Sequence, residues 1–452
     1  MLSNAATDIV VVVIALGLMV FIHELGHFLA AKWVGVRILT FSFGFGKRLL
    51  GVKHGQFSLG GLEDESEGTD YRLSLLPLGG YVKMAGEDPS QPQTGDAGEF
   101  LARPRWQRFF IVIMGPAMNI VLAVLLLTGL NRYHDEEPAF EMQQARIGEV
   151  APDSVAAQAG IEPGDLITRL GDLQNPTWQD VDLKVAMSPN ASLPVEVLRN
   201  GERVQAAVTP RPEGREELGT VGWEACLPAQ VDEIEPGAPA ARAGIQKGDR
   251  IVAMNGKPVL CSQALISSLQ DNQGKPAEVS VARAGQNLRF IVSPYLGNSG
   301  ERKQWLIGVG LRYVIVKQLP WPKAFTASID ENIKTCELSF DAVGKILTRQ
   351  MSARSLSGPI AIAQMSGEAY RAGIPDLISV SAAVSLSLGI FNLLPVPILD
   401  GGVILLLLIE TVIRRDLSLR VKERVVQVGL ALLLLLTVFV MYNDLVKTFR
   451  PY

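Results

Sequence analysis

Ile9-Val-Val-Val-Val-Ile-Ala-Leu-Gly-Leu-Met-Val-Phe-Ile-His23-Glu24-Leu-Gly-His27-Phe-Leu-Ala-Ala31 places three ionisable side chains inside an apolar run. Such a run is long enough to cross a membrane, which takes about 20 residues. Ionisable groups at that depth are costly and are kept where partners or water receive them. His23 and His27 stand four residues apart, one helical turn, so both imidazoles project from one face. Two neutral imidazoles at that spacing can grip one zinc ion, and Glu24 beside them can act as general base toward a water on that metal. Three polar residues merely packed in a helix bundle would give no reason for the order His-Glu-x-x-His.

Working outward, the chain has 452 residues, 48% hydrophobic and 19% charged, with 43 Gly, 26 Pro and a net charge of −4. Its mean hydropathy is +0.22. This composition excludes a disordered or coiled-coil chain and points to a membrane protein with sizeable soluble parts. The small, mixed charge speaks against nucleic acid as a partner. Cys226, Cys261 and Cys336 form neither a disulfide framework nor a CxxC metal site, and whether Cys226 pairs with Cys261 stays open. Four stretches are predicted to span: Ile9–Ala31, Phe109–Leu130, Leu377–Leu399 and Val425–Tyr442. The run Val403–Ile409 is too short. Met1–Asp8 carries no Lys or Arg and no small-residue cleavage site follows, so the first stretch reads as a retained helix, not a signal peptide. Basic residues cluster after the first span (Lys32, Arg37, Lys47, Arg48, Lys53), before the second (Arg103, Arg105, Arg108) and between the third and fourth (Arg414, Arg415, Arg420, Lys422, Arg424). The excess of Lys and Arg makes those loops cytoplasmic and puts both termini and the segment Asn131–Asp376 outside, which in a two-membrane bacterium is the periplasm.

That segment is a tandem repeat. Glu149 to Gly160-Ile-Glu-Pro-Gly164-Asp165-Leu-Ile167 returns 84 positions later as Glu233 to Gly244-Ile-Gln-Lys-Gly248-Asp249-Arg-Ile251, and Val195–Val208, turning at Asn200-Gly201, returns as Val279–Val292 with Ala284-Gly285. The pattern SxAxxAGIxxGDxI resembles PDZ domains of bacterial proteases, which bind peptides by adding a strand beside a loop of free backbone N–H groups. The candidate loops, Leu218–Gly222 and Leu306–Gly310, fall at the end of each unit, which predicts a circularly permuted strand order. The modules either sense a peptide or only space and shield what lies beneath them.

Zinc needs a third ligand and an open position for water. His54, in the cytoplasmic loop, and His134, just outside the second span, are poor candidates. The third span ends Phe391-Asn392-Leu-Leu-Pro395-Val-Pro397-Ile-Leu-Asp400-Gly401-Gly402. The first and third helices both run inward, so at about 1.5 Å per residue His23, His27 and Asp400 lie some 20–35 Å from the outer interface and can meet. Pro395 and Pro397 break the helix there, and the freed backbone groups need protein or a wet cavity. Asp400 is therefore the acid expected to complete the site, against the plainer reading of Asp-Gly-Gly as a turn.

With both signatures complete, HExxH in the first span and Asn-x-x-Pro-x-Pro-x-Leu-Asp-Gly in the third, the chain resembles the site-two intramembrane metalloproteases. Four spans and two PDZ domains between the second and third match that family's regulator-of-sigma-E branch. The resemblance implies a polytopic α-helical membrane protein with a membrane re-entrant β-loop and two periplasmic, α+β PDZ domains. Its parts would be residues 1–37 (first span), 38–108 (cytoplasmic loop carrying the re-entrant β-hairpin), 109–131 (second span), 132–222 and 223–315 (the PDZ pair), 316–376 (amphipathic linker helices), 377–402 (third span), 403–424 (cytoplasmic-side segment) and 425–452 (fourth span). It implies zinc held by His23, His27 and Asp400, Glu24 as base, and Asn392 as a substrate-positioning residue; a buried Asn capping broken-helix carbonyls is the other reading of Asn392. Phe43–Gly46 and Leu73–Val82 would form the re-entrant β-loop that guides substrate, or a plain cytoplasmic hairpin. Gly115-Pro116-Ala-Met-Asn119 opens the second span, where Gly and Pro allow close packing, and Asn119 is given no catalytic role. Glu63–Asp70 reads as a solvated loop tip. Residues Ile329, Ile333, Phe340, Val343 and Leu347 predict an amphipathic helix at the outer membrane face, followed from Ser357 by a second apolar helical piece.

The implied activity is zinc-dependent cleavage of transmembrane segments of single-span proteins already trimmed on the outer side, typically an anti-sigma factor in envelope stress signalling, with remnant signal peptides as a second class. The implied setting is the bacterial inner membrane, with lipid and a transmembrane substrate as partners, a peptide as a candidate ligand of the PDZ pair, and the active site toward the cytoplasm. Two rivals remain in other classes. A non-catalytic, membrane-anchored PDZ scaffold or receptor would survive Glu24→Gln. A zinc transporter would spread its ligands along a path, whereas here they cluster.

Overall fold

The structure, a computed structural model, describes residues 2–60, 68–88, 94–138, 143–214, 217–299, 302–311, 314–352, 354 and 358–449; most of the loop tip expected at Glu63–Asp70 lies outside them, as does Ser357. The chain forms two compact units, Met1–His134 with Gln318–Asp341 and Leu356–Tyr452, and Asp135–Lys317 with Ala342–Ser355.

In the first unit, helix α1 (Leu2–Trp33) leads into strands β1 (Ile38–Lys53), β2 (Gln56–Leu59) and β3 (Asp70–Met84), then helix α2 (Arg105–Tyr133). Helices α3 (Trp321–Leu347, in this unit as far as Asp341), α4 (Pro359–Ala372), α5 (Ile374–Asn392), α6 (Asp400–Ile413) and α7 (Leu419–Phe449) follow. Among the described residues, four helices are long and apolar enough to cross a membrane: Val10–Trp33, Arg105–Tyr133, Ile374–Asn392 and Leu419–Val446. The third expected span differs in extent. Its helix stops at Asn392, three residues before Pro395, because the prolines cannot donate to a continuing ladder. A new 14-residue helix starts at Asp400, and at about 21 Å it is shorter than a bilayer core.

Helix α2 lies between α1 and α5, and small residues set the spacing. A methyl group on Gly26 would come within 2.1 Å of the Met114 carbonyl oxygen, and one on Gly389 within 3.0 Å of the Pro116 carbonyl oxygen. Ser385 Oγ donates to the Asn119 carbonyl at 2.9 Å. The sheet, ordered β2-β1-β3, is folded on itself: Phe43 pairs with both Gly80 and Leu73, and Leu50 also pairs with Leu73. Phe28 and Phe41 seat it on α1, with ring centres 4.6 Å apart. Helix α1 also packs against α4. The buried Asp444 of α7 accepts from the Gly358, Ile360 and Ala361 amides at 2.9–3.3 Å, which supplies the acceptors missing at the start of α4.

The second unit holds two modules built alike. Leu166–Leu170, Leu193–Arg199 and Glu202–Val208 form one antiparallel sheet, and Arg250–Met254, Ala277–Arg283 and Gln286–Val292 the other, each offset by the repeat length. The Gly-Asp turns are tied identically. Asp165 and Asp249, each 1% exposed, receive two hydrogen bonds from Arg199 and Arg283 at 2.6–2.8 Å. The last strand of each module returns to its first, Trp223–Ala225 onto Ile147–Val150 and Val309–Leu311 onto Val231–Ile234. Trp223 and Ala225 therefore pack in the first core, with Leu227 against it, and Ala229 in the second. The sequence left the cysteines open. Cys226 and Cys261 form a disulfide, flanked by Ser262 N–H donating to the Leu227 carbonyl at 2.7 Å.

Candidate metal centre

His23 and His27 are each 8% exposed on one face of α1. His27 Nδ1–H donates to the Ile111 carbonyl at 2.9 Å, which leaves Nε2 as its free lone pair. The two Nε2 atoms face each other at 3.2 Å. Asp400, the first residue of α6, brings Oδ2 to 3.0 Å from His23 Nε2 and Oδ1 to 3.5 Å from His27 Nε2. Among the described residues, these three form the one group of His, Cys, Asp and Glu side chains with donor atoms all within 4.8 Å of one another.

The two imidazole nitrogens at 3.2 Å, with one oxygen of Asp400 at 3.0 Å from His23 and the other at 3.5 Å from His27, suit a tetrahedral ion: at zinc bond lengths of about 2.0–2.1 Å, ligand atoms stand about 3.3–3.4 Å apart. The set of two imidazoles and one carboxylate is also one that zinc takes, with a position left for water. The residues present fit the metal.

Local backbone explains how Asp400 arrives. The loop Leu393–Leu399 is held by short-range bonds such as Val396 N–H to the Leu394 carbonyl at 2.7 Å. Ile398 sits at φ +97°, a region that a β-branched residue enters only at a cost of about 1–3 kcal/mol. A methyl on Gly401 would meet the Leu394 carbonyl oxygen at 2.2 Å, and one on Gly402 the Val396 carbonyl oxygen at 2.3 Å. The glycines let α6 start directly against the broken end of α5.

The triad opens on a cavity of about 570 Å³, lined also by Glu24, Val82, Glu87, Asn119 and Asn392. Glu24 Oε2 accepts the Val82 backbone N–H at 3.1 Å, which ties its carboxylate to β3. Asn392 is the last residue of α5 and reaches the cavity beside Asp400. His54, in the turn after β1, and His134, capping α2, are not among the cavity's lining residues.

Sequence reasoning missed what α2 supplies. Besides the Ile111 carbonyl, a Cβ at Gly115 would lie 2.2 Å from His27 Nε2 and 2.9 Å from His23 Nε2. Asn119 Nδ2 lies 3.4 Å from His23 Nδ1. The signal available was Gly115-Pro116-Ala-Met-Asn119, where a small residue allows close approach and a polar one sits in an apolar run.

Of the two loops considered for peptide capture, the first packs on its own chain, and the second lines a cavity of about 690 Å³ with Leu306, Gly308, Val309 and Gly310. Gly219 lies against the Val185 carbonyl, where an added methyl would come within 2.2 Å. In the second module Gln270 donates to the Trp305 carbonyl and accepts its N–H, at 3.1 and 2.9 Å.

The model of peptidase family M50 matches residues 11–436. The regulator of sigma E protease of Salmonella typhi is 30% identical over 454 residues, covering 96% of this chain and 97% of that protein. The regulator of sigma E protease of Haemophilus influenzae is 29% identical over 460 residues, 96% of this chain and 98% of its own. The regulator of sigma-E protease RseP of Escherichia coli K12 is 28% identical over 459 residues, 97% and 98% respectively.

Proposed function

Because this chain belongs to peptidase family M50 and is a metalloendopeptidase, we propose that it cleaves the membrane-spanning segment of single-span proteins at the His23–His27–Asp400 centre. The observation that carries this reading is the meeting of two imidazole nitrogens and one carboxylate, with contacts of 3.0–3.5 Å, beside Glu24 among apolar helices.

His23, His27 and Asp400 would hold the zinc, which when bound would supply Lewis-acid polarisation of the scissile carbonyl and lower the pKa of the attacking water. Glu24, anchored by the Val82 amide, takes the proton of the attacking water and delivers it to the leaving amine. A peptide bond inside a helix is shielded by its own hydrogen bonds, so the substrate must unwind first. The Gly80–Met84 segment, which runs past Glu24, offers backbone groups against which an unwound segment can lie extended. Asn392, on the cavity wall, positions it.

The substrate class proposed is an anti-sigma factor already trimmed on the outer side, in the inner membrane, with the termini and the PDZ-like pair in the periplasm. The pair acts as a size filter against untrimmed ectodomains. The decisive experiment measures zinc content and cleavage of a trimmed single-span substrate by wild type and Glu24→Gln. The variant is expected to keep zinc and lose cleavage; persistent cleavage would remove Glu24 from the mechanism and favour a scaffold.

A further inference from the structure

His23 has an unassigned neighbour. Asn119 is 1% exposed, its Nδ2 stands 3.4 Å from His23 Nδ1, and its Oδ1 is buried with no partner among the described residues. Two nitrogens in contact require that Nδ1 carry no proton. A neutral imidazole that offers Nε2 to a metal, however, carries its proton on Nδ1, and His23 Nε2 is the atom turned toward His27 Nε2 and Asp400. The amide's oxygen and nitrogen are exchanged by a half-turn, and their assignment follows from the bonding around them. That half-turn gives Nδ1–H an oxygen acceptor and moves the NH2 group to the oxygen's buried place. His27 already has the corresponding arrangement, Nδ1–H on the Ile111 carbonyl at 2.9 Å. Asn119 is also braced from behind, since Ser385 Oγ of α5 donates to its backbone carbonyl at 2.9 Å.

Resting on the metallopeptidase reading, we propose that Asn119 is a positioning residue for His23. Its amide oxygen receives Nδ1–H, fixes the tautomer and aims Nε2 at the metal. Helix α2 then orients both imidazoles, one through a backbone carbonyl and one through a side chain. Outer partners of this kind typically change metal affinity about 10- to 100-fold when removed.

The test uses the full chain in detergent and measures zinc affinity by chelator competition, alongside thermal melting without metal. Asn119→Leu, which has no acceptor, and Asn119→Ala, which is smaller, are expected to weaken zinc binding about 10- to 100-fold. Asn119→Asp, which keeps the acceptor, is expected to stay within a few-fold of wild type. A packing role alone would not let the carboxylate rescue what the isosteric leucine loses. Wild-type affinity in the leucine and alanine variants would overturn the proposal, as would equal loss in the aspartate variant, which would mean the amide donates. If wild type itself held no zinc, or His23→Ala held it as tightly, the metallopeptidase reading would fall and this one with it.

Discussion

Gly115→Ala puts the proposed centre to a steric test. The added methyl carbon would lie 2.2 Å from His27 Nε2 and 2.9 Å from His23 Nε2, where ordinary contact begins at 3.4 Å. It is thus about 1.2 Å too close to one donor and about 0.5 Å too close to the other. The imidazoles cannot yield along α1, because Gly26 already touches the Met114 carbonyl and His27 is tied to Ile111. Either α2 shifts outward or His27 rotates away from Asp400. The overpacking itself costs about 1–3 kcal/mol, which a large helical unit survives. Metal ligands, by contrast, must be held to about 0.2 Å, so the zinc affinity should fall by at least about 100-fold, beyond the effect of losing an outer partner. The assay is chelator competition on purified full-length protein, with Gly129→Ala as the control: in the same helix, that position has nothing within 4 Å of a new Cβ. Unchanged zinc affinity in Gly115→Ala would refute the placement of both imidazoles beneath α2.

Other outcomes follow from the second unit. Removing the Cys226–Cys261 link, whose ends are separated by 35 positions in sequence, by Cys226→Ser with Cys261→Ser should cost about 3–4 kcal/mol in the chain-entropy account, read as a lower melting point of the oxidised protein. Arg283 holds the Asp249 carboxyl below its ordinary value through paired hydrogen bonds. That contribution is complete above the unfolded value of about 4 and is lost as pH falls through the lower folded value. Melting of wild type should therefore drop steeply on acidification below about pH 4, and Arg283→Leu should flatten that slope; parallel curves would show the pair to be uncoupled from folding. Deleting Asp135–Lys317 should let the enzyme cut untrimmed substrate as well as trimmed, and retained discrimination would sink the size-filter role.

Several features were legible because they are local. An apolar run of the right length, the one-turn spacing of His23 and His27, and the recurrence of Gly-Asp at a fixed offset are properties of neighbouring residues, and helix periodicity alone converts them into structure. The prolines at 395 and 397 marked a break for the same reason, since each removes a donor from its own helix. Even the meeting of Asp400 with the histidines was open to argument, because a bilayer confines helices to one axis and turns residue counts into depth.

The rest needed partners distant in the chain. Nothing near Glu24 announces that its carboxylate will sit on the Val82 amide, 58 residues on, and nothing near Asp165 names Arg199. The double pairing of β1 with β3 and the return of Trp223 to the first module depend on strand edges finding each other. The chain by itself determined which helices exist and which groups can bind a metal. The close approach of α2, permitted by Gly26, Gly115 and Gly389, decided how those groups are oriented, because a lone pair is aimed by whatever holds the far side of its ring.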